Sequence, residues 1–254
     1  MSIQGSKRAL LAGGALLASL CSCKTTLHHE PWSQINKGTT SLGASTGWAI
    51  YEADVSVQGK NGVLAPGGVG EVGSDGSDLT PNYGGAIKLN HFITDRISLG
   101  GIVELRSFDV DDPIMPLTAE LEADEFETWH FLLSSRYWFD PVALDDRVKP
   151  FFGIDLGYIP DVQFDRINVT YPASTGIPSE TISAESSEYW TIAPVVGFSY
   201  LLYDNVTLDF GAFYEFPLTE SEATISFPNL GGAEADARVE ARGLIAACGI
   251  SIFF

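Results

Sequence analysis

The chain has 254 residues, 45% of them hydrophobic and 19% charged, with 33 acidic against 14 basic side chains and a formal net charge of −19. That surplus of negative charge argues against nucleic acid or an anionic leaflet as partner, since both are themselves negative. Three cysteines, Cys21, Cys23 and Cys248, are too few to staple a fold with disulfides, and the length suits one all-β domain behind an export segment.

Residues 1–22 read as that segment: Lys7-Arg8 form a positive end and an apolar run follows over 9–20, too short to span a bilayer as a helix. Leu20-Cys21-Ser22-Cys23 has the form of a lipobox, with Leu at −3 and Ser at −1 before Cys23. Cys23 is therefore the expected lipidation site, and an ordinary secretory signal is the alternative. Residues 23–45 are polar and rich in Ser, Thr and Gly, and read as a periplasmic tether. His28-His29-Glu30 lies within it, but adjacent His in a flexible stretch make a poor metal site, so no cofactor or metal is expected.

The domain proper is expected over 46–254, with eight strands at 47–58, 83–93, 96–109, 126–139, 149–164, 187–202, 205–218 and 237–254. Alternation is clear in the third, where Ile97, Leu99, Val103 and Leu105 oppose Ser98, Glu104 and Arg106. In the fourth, Trp129, Phe131, Leu133 and Tyr137 oppose Thr128, His130, Ser134 and Arg136. The fifth sets Phe152, Ile154, Leu156 and Tyr158 against Gly153, Asp155 and Gly157; the seventh sets Leu208, Phe210, Ala212, Tyr214 and Phe216 against Thr207, Asp209, Gly211 and Glu215. The first is less clean, since Trp48 and Ile50 fall in phase with Glu52 and Asp54. The last runs to Phe254, and stepping back by two gives Ile252, Ile250, Cys248, Ala246 and Leu244, an unbroken apolar face. An open apolar edge would invite pairing with other chains, and closure into a barrel removes it.

Connections at 93–96, 140–148 and 203–205 are short, whereas 59–82, 110–125, 165–186 and 219–236 are long and rich in Gly, Pro, Ser or acid. This rhythm, the apolar terminal strand and segments such as Lys149-Pro150-Phe151-Phe152-Gly153-Ile154-Asp155-Leu156-Gly157-Tyr158 resemble the small eight-stranded barrels of the bacterial outer membrane: the OmpA membrane domain, OmpX, the opacity proteins and OmpW. No functional motif of any subfamily is matched. The resemblance implies an antiparallel transmembrane β-barrel with short periplasmic turns and long external loops. It also implies outer-membrane lipid as surroundings, and a C-terminal signal (Ile250, Ile252, Phe254) read by the barrel-assembly machinery.

With the aromatic face outward, the lumen is expected to hold Asp54, Lys88, Glu104, Arg106, His130, Arg136, Asp155, Asp209 and Glu215. Opposite charges in so narrow a space are expected to pair into a polar plug, because an uncompensated buried charge is costly. A structural or surface-interaction role follows, with a narrow channel for small solutes or ions as the alternative. A lipid-modifying hydrolase is the second alternative. It is expected to lack a nucleophile beside His130, with Ser134 as the nearest same-face hydroxyl and too far along the strand to share its proton. No catalytic residue is assigned. Between Asp109 and Glu127 stand eight acids and no base; they could meet divalent cations or a basic partner, or serve as a solvated crown.

Overall fold

The computed structural model describes residues 32–33, 35–59, 72–73, 77–110, 120–123, 126–160, 162–171 and 173–254. The export segment, Cys23, His28-His29-Glu30, and most of the Gly-rich and acidic connections lie outside them. Eight strands form the barrel: β1 (Thr40–Gly59), β3 (Ser77–Phe92), β4 (Ile97–Val110), β6 (Phe126–Trp138), β7 (Val148–Ile159), β10 (Tyr189–Tyr203), β11 (Val206–Pro217) and β13 (Ala233–Phe253). Each pairs antiparallel with the next, and β1 closes on β13 from Ser41↔Phe253 to Gly59↔Ala235. Closure leaves no open edge in this ring.

Two expectations are corrected. The barrel begins at Thr40, not at 46, so the end of the supposed tether is strand: Ser41, Gly43 and Ser45 are small enough to face the lumen beside β3 and β13. The segments expected as long loops also carry further strands: β2 (Val72–Gly73), β5 (Glu120–Ala123), β8 (Val162–Thr170), β9 (Glu180–Ser186) and β12 (Ser221–Phe227). These prolong the wall outward, through β5–β8, β8–β9 and β12–β13 ladders.

The outer face records where the lipid ends. Along β13, Glu234, Arg238, Glu240 and Arg242 are exposed, and from Leu244 the same face turns apolar through Ala246, Cys248 and Ile250 to Ile252. At about 3.3 Å per residue and a tilt of about 40°, the stretch from Leu244 to Ile252 rises about 20 Å, near the height of an outer-membrane apolar band. Neighbouring strands change at the same level: exposed Glu127 precedes exposed Trp129, and exposed Glu188 precedes exposed Trp190. Trp48, Trp129 and Trp190 form an upper aromatic girdle, while Tyr137, Phe139, Phe152 and Tyr203 sit near the lower rim. So much exposed apolar surface in one belt is incompatible with water and suits a bilayer.

Above the belt the pattern inverts. β12 and β9 bury every second residue, and Ile167, Val169, Tyr171, Ile182, Ala184, Ala223, Ile225, Phe227, Ala235 and Ala237 form one hydrophobic cluster. The wall is apolar outside where it meets lipid and apolar inside where it meets water. The β8–β9 and β12–β13 hairpins are tied together at their tips, where Glu180 accepts from the Asn229 backbone N–H and from the Tyr171 hydroxyl, and Asn229 donates its side-chain amide to Pro178 O.

At the other end, Trp32, Ile35, Phe92, Trp138, Leu201 and Phe253 form a second buried cluster, with Phe151 packed against it.

Candidate functional site

The lumen is narrow, and small residues make room for long ones. Gly43 stands opposite Lys88, and a Cβ on it would come 2.7 Å from Lys88 Cε. Gly153 stands opposite Arg136, and its Cβ would come 2.6 Å from Arg136 Cδ. Each stem lies flat across the glycine of the neighbouring strand and projects its charge sideways along the wall. Real Cβ contacts do not approach so closely, so both glycines are required by space.

Two tiers result. In the upper one, Arg106 on β4 donates through Nη2 to Glu104 Oε2 at 2.7 Å and through Nη1 to Glu215 Oε2 on β11 at 2.8 Å. All three side chains are buried. His130 is buried beside them, its Nε2 2.8 Å from Thr128 Oγ1 and its Nδ1 3.9 Å from Glu215 Oε1.

In the lower tier, Arg136 grips Asp155 with two bonds of 2.6 and 2.8 Å. Asp209 is a hub: Oδ2 accepts from Lys88 Nζ and Ser251 Oγ, and Oδ1 accepts from Ser199 Oγ at 2.6 Å and Thr207 Oγ1 at 2.9 Å. A carboxylate accepting from one ammonium and three hydroxyls has its lone pairs filled without water. What remains is a cavity of about 100 Å³ lined by Ser41, Lys88, Asn90, Ser134, Arg136, Asp155, Asp209 and others.

Of the nine residues expected in the lumen, eight stand in these tiers. Asp54 is in β1 opposite Glu240, at the level of the external extension; its side chain lies outside the described residues. β1 keeps step with β13 along its whole length, while the β1–β3 and β3–β4 registers both shift near Pro81 and Tyr83, so the irregularity belongs to β3.

His130 has a nearer same-face hydroxyl than Ser134. Thr128 lies two residues before it on the same face, the spacing at which side chains on a strand meet. Thr128, His130 and Glu215 stand in the order of a nucleophile, a base and an orienting acid. Glu215 Oε2 is engaged by Arg106, however, and the lower-tier cavity is lined by neither Thr128 nor His130. Among the described residues no cluster of three metal-ligating side chains occurs.

The C-terminal strand sets Ile250 and Ile252 on the lipid face, with Phe254 beyond them exposed. Phe254 exchanges backbone bonds with Thr40, N to O at 2.8 Å and O to N at 2.9 Å.

No protein-family model matches the chain, and no curated protein matches its sequence significantly. Among solved structures it is similar to the outer membrane protein OprG from Pseudomonas aeruginosa, with a TM-score of 0.57 at 13% identity over 86% of this chain and 97% of that one. The outer membrane protein AlkL matches at TM-score 0.48 and 17% identity, over 91% and 97% of the two chains. Neisserial surface protein A matches at 0.41 and 16%, over 85% and 99%. The OprG likeness is one of fold, and with the closed ladder and the lipid-facing belt it gives the chain the architecture of a small eight-stranded outer-membrane β-barrel.

Proposed function

We propose that this barrel is a closed scaffold of the outer membrane that carries its external extension as an interaction surface, and that it does not conduct. The observation behind this is the packed interior: charges pair across the lumen in two tiers, and the space between them is about 100 Å³. A water needs about 10–15 Å³ of such space, so the chamber holds a handful of waters among paired charges. The extension suits a presenting role because its strands carry a hydrophobic cluster beneath an exposed polar face with Glu185, Glu222, Glu234, Arg238 and Glu240. A basic partner or divalent cations are the ligands that an acidic crown would favour.

Planar-bilayer recording tests it. The parent protein is expected to show no steady unitary current; a stable, ion-selective conductance would replace the scaffold with a narrow channel. The 2.8 Å contact between Thr128 and His130 gives the hydrolase alternative a concrete geometry. Lipid A mass spectra from cells with and without the protein are expected to be identical, and loss of an acyl chain that depends on Thr128 would revive that alternative.

A further inference from the structure

Trp32, Ser33 and residues 35–39 do not hang free below the barrel. Trp32 and Ile35 are 6% and 2% exposed and pack with Phe92, Trp138, Leu201 and Phe253 across the lower mouth. The chain leaves the foot of β1 and reaches the β6–β7 connection. In the strand order β1-β3-β4-β6-β7-β10-β11-β13, that connection lies across the ring from β1. There the Trp32 indole N–H donates to Asp146 O at 3.0 Å, and Lys149 Nζ sits 5.5 Å from the ring centroid. Along the way Gly38 N–H donates to Phe92 O at 2.8 Å and Lys37 N–H to Asp95 Oδ1 at 2.9 Å. Directly above lies the polar chamber, whose lining includes Trp138, Phe151 and Phe253 from the same cluster together with Ser41 and Ser134.

Trp32 also has φ of 72°, the left-handed region that a bulky side chain avoids and keeps only where its surroundings impose it. The strain lies in the residue that fills the mouth. Among the described residues its polar ties at the far wall are one hydrogen bond and one cation–π contact, few enough to break together.

We propose that Trp32, Ser33 and residues 35–39 are a removable stopper of the periplasmic mouth: seated, they seal the polar chamber, and withdrawal of Trp32 opens it to the periplasm. This goes beyond the scaffold role and holds whether or not the extension binds a partner. The bulk of the plug is one indole, so its removal opens the lower chamber alone and leaves the Arg106 tier above it in place.

The test is chemical access to the chamber in the full chain. Ser134 is buried and lines it, so Ser134→Cys is treated with a charged, water-soluble methanethiosulfonate in detergent micelles, and modification is followed by mass spectrometry of the peptide holding residue 134. The stopper requires slow reaction in the Ser134→Cys parent, at least about 100-fold faster reaction after adding Trp32→Ala, and a return toward the parent rate with Trp32→Phe; that factor is the order expected when an opening step is removed. Retained gel heat-modifiability shows that the barrel is intact. If Trp32→Ala does not give that form, Lys149→Gln, which removes the cation over the ring, is read in the same way and should speed reaction about tenfold. A parent that reacts as fast as the Trp32 variant overturns the proposal, and so does an intact variant, of Trp32 or of Lys149, that reacts as slowly as the parent.

Discussion

Replacing Arg106 by Met keeps much of the stem volume and deletes the guanidinium that joins two buried carboxylates. In the parent, Arg106 Nη2 lies 2.7 Å from Glu104 and Nη1 2.8 Å from Glu215, and the three side chains are 4%, 11% and 2% exposed. Their burial sets the scale. An exposed ion pair contributes about 0–1 kcal/mol, whereas removing one partner of a buried pair costs about 3–5 kcal/mol, mainly through the charge left behind. Here one deletion leaves two carboxylates, both negative, on adjoining faces of a narrow space, so a loss in the upper part of that range is expected. Urea unfolding in lipid vesicles, followed by Trp fluorescence and by the heat-modifiable gel shift, measures it. Arg106→Met combined with Glu104→Gln and Glu215→Gln should recover most of the loss, since neutral amides no longer need the guanidinium. A loss below about 1 kcal/mol, with no recovery in the triple variant, would show a lumen wet enough to screen its charges and would remove the physical basis of the closed scaffold.

Other outcomes follow from the same geometry. Gly43→Val should push Lys88 off Asp209 and cost about 1–3 kcal/mol, the range for overpacking; an unchanged urea midpoint would mean that the Lys88 stem does not lie over Gly43 as described. Tyr171→Phe deletes the hydroxyl donated to Glu180 and should cost about 1 kcal/mol, seen as faster protease nicking of 171–180 with the membrane part still protected. Burial and the neighbouring carboxylate hold the Tyr171 phenol above its ordinary range. Its contribution is thus present below the unfolded value of about 10 and lost as pH rises past it, so nicking in the parent should begin only at strongly alkaline pH. Phe254→Asp should lower the yield of folded barrel in cells, and normal insertion of that variant would count against a C-terminal assembly signal. Palmitate labelling should vanish in Cys23→Ser and persist in Cys21→Ser.

Much of the wall was legible because a strand in lipid has a period of two and one constant solvent on each face. Counting in steps of two groups Glu104 with Arg106 and separates both from Val103 and Leu105. Counting does not say which acid across the ring meets Arg106; Glu215 stands 109 residues away, set by strand order and stagger together. The external strands were read as loops because their code is weaker. On β13 the inward positions there are Ala233, Ala235 and Ala237, too small to stand out beside Gly and Ser, and on β9 and β12 the Ile and Phe that do stand out alternate for only seven residues, while outside faces are polar as any loop would be. Asp54 marks the limit of the same count, since it pairs with Glu240, past the change of solvent. Trp32 and Ile35 sit in a stretch whose average is polar, and two isolated apolar residues carry no period at all.

β13 serves two partners on one side. Its lower half bonds β11 from Ile252 to Gly243, its upper half bonds β12 from Val239 to Ala233, and β1 runs along its other edge for nearly the whole length. β13 is therefore both the stave that closes the ring and the spine to which the extension is fastened. Loss of this one strand would open the ring and strip β12 of its ladder in a single step.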